Sequence, residues 1–219
     1  MSLRRGPGWS SFLGSLFAIL CAIPVLGPGV THAQTGSAKA PGTSGKVRHV
    51  TELRGEWGRN GPAFVCTVRA GKLAPSAIDP DMLARACQHM GPFVIGDDAE
   101  VLKATLGAPH RTRALPQPDG ATAWLYFLGQ QEHYPYLVAT VSKGRIVALQ
   151  VTGTAATNGY DFNHVDLGMP VDTVIQVFGQ PYRTGPSDEK DTELWTYGVW
   201  PFSFEVRGAH VTSIRISEP

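Results

Sequence analysis

Residues 168–183, GMPVDTVIQVFGQPYR, decide how this chain is to be read. Val171, Val174, Ile175 and Phe178 fall at i, i+3, i+4 and i+7, the spacing that lines one stripe of a short helix with apolar side chains. Pro170 suits the first helical position, Gly179 suits the left-handed position that closes a helix, and Pro181 forbids continuation. A helix of about ten residues is marginal alone in water, so it must lie on an apolar surface. The alternating segments 193–199 (ELWTYGV), 202–207 (FSFEVR) and 210–217 (HVTSIRIS) supply one as three strands, with Gly208-Ala209 as a tight turn.

The pattern occurs twice. Gly96-Asp97-Asp98, Val101-Leu102 and Leu106-Gly107-Ala108-Pro109-His110-Arg111 fall on Gly168-Met169-Pro170, Thr173-Val174 and Phe178-Gly179-Gln180-Pro181-Tyr182-Arg183 at a constant offset of 72. Trp124-Leu125-Tyr126 falls on Trp195-Thr196-Tyr197, and Val141 through Val151 on Val206 through Ile216. In the first copy Asp97 or Asp98 serves as the helix N-cap, and strands are expected at 122–128, 137–142 and 145–152 around a Lys143-Gly144 turn. Val147, Leu149 and Val151 match Thr212, Ile214 and Ile216, so the same face of each last strand is expected to receive its helix. The expected fold class is α+β: two tandem helix-then-three-strand antiparallel units, repeat 1 at 93–153 and repeat 2 at 165–217, after a small N-terminal subdomain.

Residues 1–33 differ from the rest. Arg4 and Arg5 precede an apolar run from Phe12 to Leu26, a break at Pro24, Gly27 and Pro28, and then Thr31-His32-Ala33. This reads as a secretory signal peptide cut after Ala33, because a spanning helix needs about 20 unbroken apolar residues. Retention as an anchor is the competing reading. Cys21 follows Leu20, whereas a lipoprotein signal has a small residue there. Residues 34–45 (QTGSAKAPGTSG) bury almost nothing and read as a flexible linker.

The N-terminal subdomain, 46–92, is expected to carry strands at 47–54 and 63–69 and a helix from Asp79-Pro80 to near Gly91. Cys66 and Cys87 remain after the signal is removed. An even pair in an oxidising compartment is most simply one disulfide, which places Cys66 on a strand and Cys87 on the helix. Closing a loop of about 20 residues is worth roughly 3 kcal/mol in the chain-entropy model.

The whole chain has 19 Lys+Arg and 18 Asp+Glu. Loss of Arg4 and Arg5 with the signal leaves a balance near zero, which argues against nucleic acid or an anionic membrane as main partner. No Gly-x-Ser-x-Gly elbow, phosphate-cradling Gly loop or His-Glu-x-x-His pair occurs, so no catalytic or metal-binding residue and no cofactor is assigned. Asp161 with His164 is the one close acid–His pair, most simply a surface loop.

The Gly-Met-Pro…Val…Phe-Gly-Gln-Pro run, followed by a Trp-x-Tyr strand and a Gly-containing hairpin, resembles the helix-then-three-strands module of the SmpA/OmlA (BamE-like) outer-membrane assembly lipoproteins. Its tandem use is similar to the architecture of the β-lactamase-inhibitor proteins. The resemblance covers 93–153 and 165–217 and implies a non-catalytic protein-binding role at the bacterial cell envelope. The lipobox cysteine of the assembly lipoproteins is missing, and neither cysteine lies inside a repeat. Neither group accounts for residues 46–92.

Two aromatic sets are candidate binding residues. The first copy carries an insertion within 129–135, and His133, Tyr134 and Tyr136 there offer contact area on a loop, where the second copy turns with only Trp200-Pro201. Trp124 with Tyr126, and Trp195 with Tyr197, share one side of equivalent strands. Facing away from the helix they form an exposed patch; facing it they are core. The expectation is an exported binding protein, periplasmic or secreted, that engages another envelope or secreted protein and makes no stable membrane insertion after signal cleavage. The alternative is a periplasmic protein binding a small molecule, lipid or cell-wall glycan.

Overall fold

The computed structural model describes residues 53–69, 80–116, 119–131 and 134–219, all within one compact unit, Gly45–Pro219. The expected signal peptide, the linker and most of the first expected strand lie outside these residues. The described chain opens with a hairpin of β1 (Arg54–Asn60) and β2 (Ala63–Arg69), turned at Gly61 with φ +59°. Helix α1 (Pro80–Arg85) and a two-residue hairpin of β3 (His89–Met90) and β4 (Phe93–Val94) follow. Helix α2 (Glu100–Leu106) leads into β5 (Arg111–Ala114), β6 (Thr122–Gln131), β7 (Tyr134–Ser142) and β8 (Arg145–Thr152). Helix α3 (Val171–Phe178) leads into β9 (Arg183–Pro186), β10 (Glu193–Thr196), β11 (Phe202–Arg207) and β12 (His210–Ser217).

All eight of the last strands form one antiparallel sheet in the order β5-β6-β7-β8-β12-β11-β10-β9. This corrects the expected α+β fold of two tandem helix-then-three-strand units: the described chain is mostly β, and the strands merge into a single continuous sheet. The physical reason lies at β8 and β12. Each is apolar along one face and would otherwise expose a free edge, and they remove both edges by pairing from Ser213↔Thr152 to Ser217↔Ala148. The remaining edges are β5 and β9, four residues each, polar and largely exposed.

Helix α3 keeps the expected stripe, with Val174 and Phe178 fully buried and Val171 and Ile175 partly so. Pro170 stands outside the helix with extended backbone, one position earlier than its assigned first turn. Gly179 ends the helix, its N–H donating 2.8 Å to the Ile175 carbonyl. Its φ of 72° is positive as expected, but a ψ of −169° puts it outside the left-handed helical well, in a region open essentially to glycine alone. Gly107 closes α2 in the same way, at φ 79° and ψ −163°. The N-cap of α2 is Ala99, with no side-chain cap bond, and not Asp97 or Asp98 as expected; the Asp98 carboxylate instead accepts from the Glu100 N–H at 2.9 Å.

The N-terminal segment departs further from expectation. Helix α1 stops at Arg85 instead of near Gly91, so Cys87 sits past the helix, in a turn. The Cys66–Cys87 disulfide is nonetheless present, with Cα atoms 5.8 Å apart. Nor is the hairpin a separate layer. Phe64 of β2 is buried in the same core as the sheet, with ring centroids 5.3 Å from Phe202 and 5.8 Å from Tyr197. That core also takes Val101 and Leu102 of α2, Val174 and Phe178 of α3, and Phe162, Val165 and Leu167 of the connection after β8.

Candidate functional site

Residues directly opposite in an antiparallel pair project to the same face, so the register can be followed as rows across the sheet. One row runs Tyr126, Leu137, Val151, Ile214, Phe204, Trp195, and a second runs Trp124, Ala139, Leu149, Ile216, Phe202. Every residue in them except half-buried Trp124 is buried. Their side of the sheet is the one covered by α2, α3, the β1–β2 hairpin and the 160–168 connection. The choice left open by the sequence is therefore decided for most of the aromatics. Tyr126, Trp195 and Tyr197 are core, and Trp200 packs edge-on against Trp57 of β1 at 5.5 Å.

Trp124 lies at the margin of the covered side, its ring beneath the Lys103 ammonium at 4.8 Å, which in turn pairs with Glu100 at 2.7 Å. The Trp195 indole N–H donates to Glu193 at 3.1 Å. Burial pushes the Tyr197 phenol far above its usual range against the lowering effect of the Arg59 charge, so it is a neutral donor, bonded to the Gly179 carbonyl at 3.1 Å. Of the loop candidates, His133 and the side chain of Tyr134 lie outside the described residues. Tyr136 is half-buried and stands on the opposite face from the other aromatics, opposite Phe127 and Thr152.

That opposite face is the candidate site. Its central row is Arg111, Leu125, Val138, Gln150, Arg215, Ser203, Thr196 and Arg183, one residue from each of the eight strands. The row beside it is Phe127, Tyr136, Thr152, Ser213, Glu205, Leu194 and Gly185. At about 4.8 Å per strand the face is roughly 33 Å wide. No described helix or hairpin lies across it. The apolar members Leu125, Phe127, Val138 and Leu194 are only half-buried, while Arg111, Arg113, Arg183, Arg207 and Arg215 are exposed. Ser213 is buried, where it bonds Gln150 at 2.9 Å and Thr152 at 3.1 Å and so stiffens the middle of the face. The 187–192 loop borders the second row, with Ser187 donating to the Glu205 carboxylate.

A smaller polar cleft lies at the other end of the hairpin, a cavity of about 230 Å³ lined by Arg54, Glu56, His89, Asp161, Asn163 and His164. His89 Nε2 lies 3.0 Å from the Gly55 carbonyl, which can only accept, so Nε2 carries the proton. Its Nδ1 is buried with no partner among the described residues. Burial holds the imidazole pKa below the ordinary value, with the Arg54 charge adding to the effect. Asn163 bridges both the N–H and the carbonyl of Trp57, at 2.7 and 3.0 Å, and so mimics a strand neighbour for β1. Asp161 accepts from the His164 N–H at 3.2 Å, and the His164 ring reaches Glu56 at 3.4 Å. The acid–His pair read from the sequence is thus a turn that fastens β1. No hydroxyl or thiol lines the cleft, and no group of three His, Cys, Asp or Glu among the described residues is placed to hold a metal.

Sequence reasoning missed both the arginine face and His89. The signal for the first was present: Arg215 alternates with Ile214 and Ile216, and Arg111 and Arg183 occupy the same place in the doubled Pro-x-Arg motif. Nothing in the sequence marks His89, because its environment is built by Gly55 and Asp161, far away in the chain.

No family model matches the chain, and no curated protein matches it. Among solved structures it is similar to an extracellular SCP-domain protein of Bacillus anthracis, at 16% identity and TM-score 0.39 over 57% of this chain and 44% of that one. It is also similar to the DUF4309-family protein YjgB of Bacillus subtilis, at 13% identity and TM-score 0.39 over 56% of this chain and 79% of that one. A cysteine-rich secretory protein of Staphylococcus aureus gives 18% identity and TM-score 0.37 over 56% and 42%. The chain thus spans less than half the length of the two SCP-type proteins. None of the three is described as SmpA/OmlA-like, and likenesses this distant carry no argument about function. No helix among the described residues is long and apolar enough to cross a membrane.

Proposed function

We propose that the chain is an exported, non-catalytic binding module that holds another envelope or secreted protein against the uncovered face of its eight-stranded sheet. The observation that carries this reading is the row of one residue per strand, partly apolar and partly exposed, on the side that no described element covers. An open sheet face of that width suits a protein partner better than a small ligand, which favours an enclosed and mostly apolar cavity. The cleft beside His89 is lined by charged and polar groups, and the one beside α2 sets Asp98, Glu100, Lys143 and Arg145 around Trp124 and Val141. Export is part of the same proposal: a structural disulfide persists in oxidising compartments, and residues 1–33 read as a signal cut after Ala33.

Photo-crosslinking in the producing cell tests the face. Benzoylphenylalanine placed at Val138 or Thr196 is expected to give adducts of discrete mass. The same probe at Asp172 or Gln176, on the outer side of α3, is expected to give none. Adducts from α3 alone, or from no position, would overturn the reading.

A further inference from the structure

Resting on that reading, we infer that the partner presents an acidic protein surface, recognised by an arginine row built into the uncovered face. Register fixes the geometry. Arg111 on the edge strand β5, Arg215 on β12 and Arg183 on the other edge strand β9 stand in one row that contains no carboxylate. Arg113 stands on the same face, one side-chain position along β5. All four are exposed. Four strand steps separate Arg111 from Arg215 and three separate Arg215 from Arg183, about 19 and about 14 Å.

The charge is local rather than a reflection of composition, because the chain as a whole is near neutral, with 19 basic and 18 acidic residues. It is also not spent internally at three of the positions. Arg113, Arg183 and Arg215 take no part in the Lys103–Glu100 and His164–Glu56 pairs. Among the described residues of these two rows the one carboxylate is Glu205, held by Ser187, and a further carboxylate, Asp119, is held by Ser142 further along β7. Asp188, Glu189 and Asp191, with Lys190 among them, border the Glu205 row, where Arg207 stands beside Glu205 and Glu189.

Arginine forks bind carboxylates bidentately, and the half-buried Leu125, Val138 and Leu194 among them offer apolar contact that a polyanion of sugars cannot use. Those apolar neighbours favour a protein over an anionic polysaccharide. Complementary charge of this kind acts chiefly on encounter rate and orientation.

The test uses the full exported protein, with fluorescent poly-L-glutamate as the protein-like probe and polygalacturonate as the sugar polyanion. Poly-L-glutamate is expected to bind, to weaken about tenfold when Arg215→Glu and Arg183→Glu are combined, and to weaken with rising salt. Arg69→Glu, an exposed reversal on β2, should leave binding unchanged. Equal binding by the double variant, equal loss with Arg69→Glu, or stronger binding of polygalacturonate would overturn the inference. Crosslinking from Thr196 in the double-variant background separates the two claims. Adducts lost with the arginines support the acidic partner; adducts that persist overturn it and leave the face standing; no adduct in either background removes the face itself.

Discussion

At the scale of single residues, two positions near the disulfide set the tolerance of the hairpin. A Cβ on Gly55 would lie 2.5 Å from Cys87 Sγ and 2.9 Å from Cys66 Sγ, closer than real contacts allow. Gly55→Ala is therefore expected to cost about 1–3 kcal/mol by denaturant unfolding, whereas Gly58→Ala, whose nearest contact is 3.9 Å, should cost well under that. His89 makes a pH prediction whose sign follows from burial. Its folded pKa lies below the ordinary 6.5, so above that pH it is neutral in both states and contributes no slope. As pH falls below about 6.5 the unfolded chain takes the proton first, and stability is lost down to the folded pKa. The hydrogen bond to the Gly55 carbonyl, with Asp161 and Glu56, opposes this shift, and Arg54 adds to it. Urea midpoints at about pH 7.5 and about pH 5.5 should differ less in His89→Gln than in the wild type. An unchanged difference would place the titration elsewhere.

At the scale of elements, α3 is the test of how the sheet is covered. Phe178 stacks on Phe162 at 5.6 Å and contacts Phe202 at 4.9 Å, and it is fully buried. Phe178→Ala is expected to cost about 3–5 kcal/mol, seen as a fall in the denaturation midpoint. The hairpin is fastened to the end of this helix by the Arg59 guanidinium, which donates to the Phe178 carbonyl at 3.0 Å, and by the Tyr182 hydroxyl, which donates to the Pro62 carbonyl. Removing the staple with Cys66→Ser and Cys87→Ser together should cost about 2–4 kcal/mol. The helices and the long strands were legible in the sequence because their periodicities are set by burial on one side: Val174 and Phe178 in α3, Ile214 and Ile216 in β12. Strands β5 and β9 were not, since RTRA and RTGP lie at exposed edges and show no alternation. The stop of α1 at Arg85 was missed for a different reason. The β3–β4 hairpin turns at Gly91 and is fixed by long-range contacts, such as the Gly91 N–H to the Asp161 carbonyl at 3.3 Å.

At the scale of the whole molecule, the decisive event is the pairing of β8 with β12. Local patterns could announce two sets of strands but not whether they stand apart, because nothing within either strand specifies its neighbour across 60 residues of chain. Once joined, the two sets share a single covered side and a single uncovered one, which sends Tyr126, Trp195 and Phe204 inward and Arg111, Arg183 and Arg215 outward. The function proposed for the face therefore depends on that seam: without it Arg111 and Arg183 belong to different surfaces, and no straight row exists. The most direct measurement is a set of cross-strand nuclear Overhauser contacts between residues 148–152 and 213–217 in solution. Contacts in the register Val151 with Ile214 and Leu149 with Ile216 are the expected result. Absence of contacts across this seam, with each strand paired only inside its own half, would contradict the single sheet and the binding face drawn from it.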